Sequence, residues 1–159
     1  MIPATETLEK TSVVHPPATA IRKLVRCFGL LERLMLPYFA PFGISGSQWG
    51  LLRNLHKSET EGRTGLRLNE LSERLLVRPP SVTGAVDRLE KAGLVRRDGV
   101  PGDLRAKHVA LTAAGRRIVE QILEQHPAKM AELLGGLDPA EQQELHRLLT
   151  KLGDHLERL

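Results

Sequence analysis

Residues 68–112 read LNELSERLLVRPPSVTGAVDRLEKAGLVRRDGVPGDLRAKHVALT. They hold two short helical patterns, a tight break and a strand-turn-strand, an order that predicts a winged helix-turn-helix. The second helix, over 79–92, is the most sharply punctuated. Arg78-Pro79-Pro80-Ser81 opens it, because proline fits a first turn, where its missing N–H has no intrahelical partner. Gly93 closes it, in the position that favours a left-handed residue. On a 3.6-residue wheel Val82, Ala85, Val86 and Leu89 share one arc. Ser81, Gly84, Arg88 and Lys91 share the opposite one, with Thr83 and Asp87 at its far edge. One arc suits a core and the other is free to meet a partner.

The free face is small near the helix start and basic further along, which lets a helix N-terminus approach an anion-rich surface such as the DNA major groove. The competing reading is an ordinary solvated face. The hairpin weighs against it: strands expected over 94–97 and 106–111 flank Gly99-Val100-Pro101-Gly102-Asp103, a turn-forming run. Arg96, Arg97, Arg105 and Lys107 make that hairpin cationic. A basic hairpin tip beside a groove-reading helix can enter the adjacent minor groove. The DNA-contacting set expected from helix and hairpin is Arg78, Pro80, Ser81, Thr83, Gly84, Arg88, Arg97, Arg105 and Lys107.

Three runs carry a family resemblance: Asp87-Arg88-Leu89-Glu90-Lys91-Ala92-Gly93-Leu94-Val95-Arg96-Arg97, then Asp103-x-Arg105-Ala106-Lys107, then Val109-x-Leu111-Thr112-x-x-Gly115. In order and spacing they resemble the MarR-type winged helix-turn-helix regulators, and helical patterns on either side extend the likeness over residues 20–158. The resemblance implies that Asp103 and Arg105 form a wing pair, the aspartate orienting an arginine that inserts into the minor groove. It further implies a homodimer, built from the first and last two helices, on a palindromic operator of double-stranded DNA, acting as a repressor. Small aromatic or anionic effectors would lodge between the dimer helices and the winged lobe, with Arg26, Trp49, Arg53 and His56 as candidate lining residues. Leu104 and Asp98 stand where the family often has further arginines, and Gly84 where a long polar reader is common. These departures shift the expected reading toward DNA shape.

The 159 residues are 41% hydrophobic, 26% charged and only 3% aromatic, so the core is built from Leu, Val, Ile and Ala, which suits helices better than a β-sandwich. The expected fold class is mainly α (α+β). A net charge of +4 is mild support for a polyanionic partner. No run of about eighteen apolar residues predicts a membrane span, and the N-terminus lacks a signal-peptide layout, so a cytoplasmic protein is expected.

Along the chain, residues 1–17 read as an arm, 18–43 as a dimerisation helix, 44–111 as the winged DNA-binding lobe and 112–159 as C-terminal dimerisation helices. Ile21, Leu24, Val25, Phe28, Leu31, Met35 and Tyr38 recur at three- and four-residue spacings in the first helix, over 18–39. Ser45-x-x-Gln48 is a capping-box pattern, and a polar loop over 57–67 is expected to lead into a short strand. A helix over 70–76 should pack Leu71, Leu75 and Leu76 beneath the recognition helix. Thr112 can cap a helix over 113–134 that Pro127 should kink or break, and Asp138-Pro139-x-Glu141 starts the last helix. The leucines of the terminal helices exceed what a small winged domain covers; the alternative is that three helices bury them within one chain.

Cys27 admits a thiol-based, peroxide-sensing variant, but its place beside Phe28 favours a buried inert thiol. His15, His56, His108, His126, His146 and His155 show no metal-ligand spacing, a pairing such as His126 with Glu124 being the nearest approach. No nucleophile-base set or phosphate loop suggests an enzyme or a cofactor. A winged-helix adaptor that binds protein and no DNA completes the alternatives.

Overall fold

The computed structural model describes residues 16–100 and 103–159, with the side chains of residue 100 and of 103–106 outside the described set. The elements run α1 Pro17–Phe39, a single 3₁₀ turn Ala40–Phe42, α2 Gly46–Thr60, α3 Leu68–Leu75, α4 Pro79–Lys91, β1 Val95–Val100, β2 Asp103–Leu111, α5 Ala113–Leu134 and α6 Pro139–Leu156. The result is a mainly helical chain with one antiparallel ribbon. The arm expected over 1–17 lies outside the described residues up to position 15, and Pro17 already opens α1.

Local chemistry accounts for the boundaries. Ser45 accepts from the Gln48 backbone N–H while the Gln48 side chain accepts from the Ser45 N–H, so α2 starts on a complete capping box. Asp138 and Glu141 do the same for α6, with Pro139 in the first turn. At the head of α5 the Thr112 hydroxyl accepts from Gly115 N–H. Gly93 takes φ 72° just beyond α4, a conformation that costs glycine nothing.

The core sits in the winged lobe. Leu51, Leu52 and Leu55 of α2, Leu71 of α3, Val82, Val86 and Leu89 of α4, Val109 and Leu111 of β2, and Val119 and Ile122 of α5 are buried together. The apolar arc expected on α4 is therefore its buried face. By contrast α6 buries no residue and α1 buries only Phe39. Ile21, Val25, Phe28, Leu148, Leu149 and Leu156 are all exposed, so the three helices do not cover one another within one chain.

Several expectations need correction. The 57–67 loop is shorter, because α2 continues to Thr60, and the expected strand is a single bridge between Leu66 and Val109. Helix α3 ends at Leu75, and Leu76 turns outward to solvent instead of packing under α4. Strands β1 and β2 are longer than expected and shift register between Gly99 and Val100, while Leu94 precedes β1. Of the kink or break expected at Pro127, the break does not occur: α5 runs on to Leu134. Around Pro127 the turn is held from outside: Ile122 is buried, and His126 packs on Tyr38 and Trp49. That packing offsets the roughly 3 kcal/mol an interior proline costs. Cys27 is exposed rather than buried, because no described residue covers that part of α1.

Candidate nucleic-acid interface

Helix α4 presents the face that its periodicity assigned to a partner. Arg78 is its exposed N-cap, Pro80, Ser81, Thr83 and Arg88 are exposed, and Gly84 is half-buried between them. The Thr83 hydroxyl donates back to the Pro79 carbonyl at 3.1 Å. Beneath this face lies a cavity of about 510 Å³ lined by Gly46, Gly50, Leu75, Val77, Ala85 and Arg88, among others. Gly84 keeps the helix surface low beside Arg88, whose guanidinium would lie 3.6 Å from a Cβ added there.

The wing is fastened to this helix by charge. Arg97 on β1 donates to Asp87 at 2.6 Å and also to Glu90, both on α4. Its side chain is only 20% exposed, and the hydrogen bond to Asp87 leads the interactions that hold the guanidinium more firmly protonated. Arg97 thus sits inside the protein's own ion network, where sequence had placed it among the phosphate contacts. Arg96 is likewise engaged, donating to Asp98 at 2.8 Å and to the Leu111 carbonyl at 2.6 Å. Lys107 is exposed on β2. Asp103 and Arg105 have their backbone in β2, and their side chains lie outside the described residues.

Where wing, α4 and α5 meet, Thr112 joins all three. Its hydroxyl donates to the Gly93 carbonyl at 2.7 Å, and its N–H donates to the Leu94 carbonyl at 3.1 Å. One residue therefore ties the end of the recognition helix to the start of α5. No local pattern announces this: a threonine before a helix signals a cap, while its second bond depends on a fold that brings position 93 to it.

The candidate effector residues are only partly gathered. Trp49 is buried, Arg53 exposed and His56 half-buried along α2. Arg26 stands instead on an exposed stretch of α1 beside Arg22 and Lys23. The rings that do meet Trp49 are Phe39 and His126, and Tyr38 joins them through His126; sequence reading did not assign these three to this site. The His126 ring centroid is 5.4 Å from that of Trp49, and Tyr38 Oη lies 3.3 Å from His126 Nδ1. Burial, and then the nearby Arg53 charge, push the imidazole below its ordinary range, while burial pushes the Tyr38 phenol up. The cluster joins α1, α2 and α5, half-wet and able to donate and accept. At the other end of the α2–α5 contact, the Arg116 guanidinium in the first turn of α5 clasps Glu59 of α2 through two 3.0 Å bonds.

Among the described residues no three His, Cys, Asp or Glu side chains converge to hold a metal, and no helix is long and apolar enough to cross a membrane.

Comparison with known proteins agrees with this geometry. Residues 42–106 match the family model described as MarR family. The chain is 25% identical over 148 residues to the HTH-type transcriptional regulator PecS of Dickeya dadantii, spanning 93% of this chain and 88% of that protein. It is 34% identical over 93 residues to the uncharacterized HTH-type transcriptional regulator YkoM of Bacillus subtilis, spanning 58% and 60%. A mutant MarR from E. coli complexed with operator DNA superposes with a TM-score of 0.75 at 26% identity, covering 87% of this chain and 99% of that one. The adaptor reading without DNA is thereby set aside, as is an enzyme. With the recognition helix, the wing and the joint between them in place, the chain is similar over its winged lobe, residues 42–106, to the MarR family of DNA-binding transcriptional regulators.

Proposed function

We propose that the chain acts as a homodimer that represses transcription from a palindromic operator, each subunit setting the face Ser81, Thr83, Gly84 and Arg88 of α4 into the major groove and Arg105 of the wing into the minor groove. The carrying observation is the exposed apolar stripe on α1 and α6: Val25 is 65%, Phe28 61%, Leu148 49% and Leu156 56% exposed. Exposed apolar helix faces of this extent mark a protein–protein interface, and a second copy offers the matching faces by symmetry. Two heads at fixed separation convert the second contact into an intramolecular one, a gain of about 10²–10⁴ in avidity.

Backbone contacts come from Arg78, Pro80, Arg88 and Lys107, with Asp103 orienting Arg105. Arg97 serves by holding the wing against α4. Four cations per subunit, Arg78, Arg88, Arg105 and Lys107, give a slope of log K against log salt near about −7 for the dimer. Effectors act on the junction of α1, α2 and α5. The acceptor and donor pair Tyr38 and His126, the Trp49 ring and the Arg53 charge suit a small aromatic anion, with His56 on the same helix and Arg26 a more distant candidate. Ligation there changes the separation of the two heads.

Selection of bound duplexes from random DNA, followed by salt titration of the winning sequence and sedimentation of the free protein, tests the proposal. A dimer with a palindromic consensus and a steep slope supports it; a monomer indifferent to duplex DNA at low salt refutes it. Repeating the titration with phenolic acids tests the effector site. Exposure of Cys27 also makes the peroxide variant testable: loss of binding in peroxide that Cys27→Ser abolishes would assign the signal to the thiol.

A further inference from the structure

The turn between α3 and α4 holds a leucine in a conformation leucines avoid. Leu76 has φ 52° and ψ 37°, and it is the one non-glycine residue with positive φ among the described residues. A Cβ is disfavoured there by its clash with the following carbonyl. Packing does not offset the strain, since Leu76 is 85% exposed and its neighbour Val77 44%. Nor can the turn relax. Leu76 N–H donates to the Glu73 carbonyl at 3.2 Å, Val77 N–H to the Ser72 carbonyl at 3.2 Å, and Ser72 Oγ to the Val77 carbonyl at 2.8 Å. The protein therefore holds an apolar side chain in water, on a stiff mount, two residues ahead of the Arg78 cap of α4. Strained residues that persist in this way cluster where a partner is engaged.

We propose that Leu76, with Val77 behind it, docks against the deoxyribose rim of the operator backbone at the point where α4 enters the major groove. The inference rests on that placement of α4. Continuity argues for the occupant: Arg78 follows directly, and the first turn of a groove-bound helix is the part that approaches the phosphate backbone. The sugar is the apolar surface between successive phosphates. The shallow depression around Leu76 is lined by Glu73 on the α3 side and by Arg78 on the α4 side, so the phosphate falls to Arg78 and the sugar beside it to Leu76. Such a contact reads the width of the groove rather than the identity of a base, in keeping with the small side chains of α4.

Leu76→Gly and Leu76→Asn test this, because both residues accept the left-handed turn. Affinity for the selected operator should fall about 5- to 10-fold, the change expected for losing on the order of 50 Å² of buried apolar surface. The melting temperature should hold or rise by up to about 3 °C, since relief of strain outweighs the added chain entropy. The salt slope should stay within about half a unit of wild type, no charge having changed. Wild-type affinity in both variants overturns the inference while leaving the groove placement intact. So does a fall in melting temperature in both, which would mean that the side chain serves the fold. Should the wild type itself ignore every selected duplex, the placement of α4 fails, and this contact with it.

Discussion

Replacing Gly115 by alanine perturbs the seat of α5 on the wing, and the structure sets the size of the effect. An added Cβ would stand 2.0 Å from the Leu94 carbonyl oxygen, 3.0 Å from its carbon and 3.4 Å from Leu111 Cδ2. None of these can swing aside. Leu94 donates its N–H to the Leu89 carbonyl at 2.9 Å and accepts from Thr112 N–H at 3.1 Å, and Leu111 is wholly buried. To restore an ordinary carbon–oxygen separation, the first turn of α5 must retreat by on the order of 1.3 Å. That breaks the Thr112–Leu94 bond and stretches the bond from the Thr112 hydroxyl to Gly93. Overpacking of this kind costs about 1–3 kcal/mol and each lost hydrogen bond about 1 kcal/mol, so Gly115→Ala should destabilise the fold by about 2–5 kcal/mol. In a chain of this length that corresponds to a fall of roughly 10 °C in melting temperature. Thermal unfolding followed by circular dichroism, at one fixed protein concentration because association shifts the midpoint, measures it. Operator binding, tested well below the transition, should weaken too, since the same joint sets the wing against α4. A melting temperature within about 2 °C of wild type would refute the reasoning.

Arg97→Ala should weaken operator binding without flattening the salt dependence and lower stability by about 1 kcal/mol, given that its acidic partners are partly solvated; a slope reduced by a full unit would show that Arg97 meets a phosphate after all. Arg105→Ala should do the opposite, flattening the slope by about one unit at every site, as titrations on selected and random duplexes would reveal. Leu148→Asp, placed on the exposed stripe of α6, should yield a monomer in sedimentation whose affinity is about 10²–10⁴ lower; a persistent dimer would place the interface elsewhere. Because burial holds the folded His126 below its ordinary range, the unfolded chain takes up that proton first as pH falls below about 6.5. Stability should therefore drop from pH 7 toward pH 5, and His126→Phe should remove that component of the decline in melting temperature.

Local signals carried most of the fold and one face of the site. Pro79, Gly93, Ser45 and Asp138 work within a turn of themselves, and the buried arc Val82, Ala85, Val86 and Leu89 is a property of one helix. What sequence could not show depends on partners far along the chain. Arg97 looks like a free cation until β1 folds back over Asp87 and Glu90. His126 looks solvated until α5 crosses Tyr38 and Trp49. Pro127 looks like a break until the same packing carries its helix on past it. Leu76 counted as core because its spacing fits α3, whereas the chain reverses one residue earlier and points it outward.

These long-range bonds fall in two places, and the difference has a mechanical consequence. At the base of the wing, Thr112, Gly115, Arg96 and Arg97 lock α4, both strands and α5 together through short bonds to backbone and carboxylate, so each reading head moves as one piece. At the junction of α1, α2 and α5, the polar links are a 3.3 Å tyrosine–histidine contact and tilted rings, over the buried Phe39, Trp49 and Ile122. Bonds of the second kind yield first. A signal acting on the protein should thus alter the angle between the winged lobe and α1 at Tyr38 and His126, leaving the shape of the lobe itself unchanged.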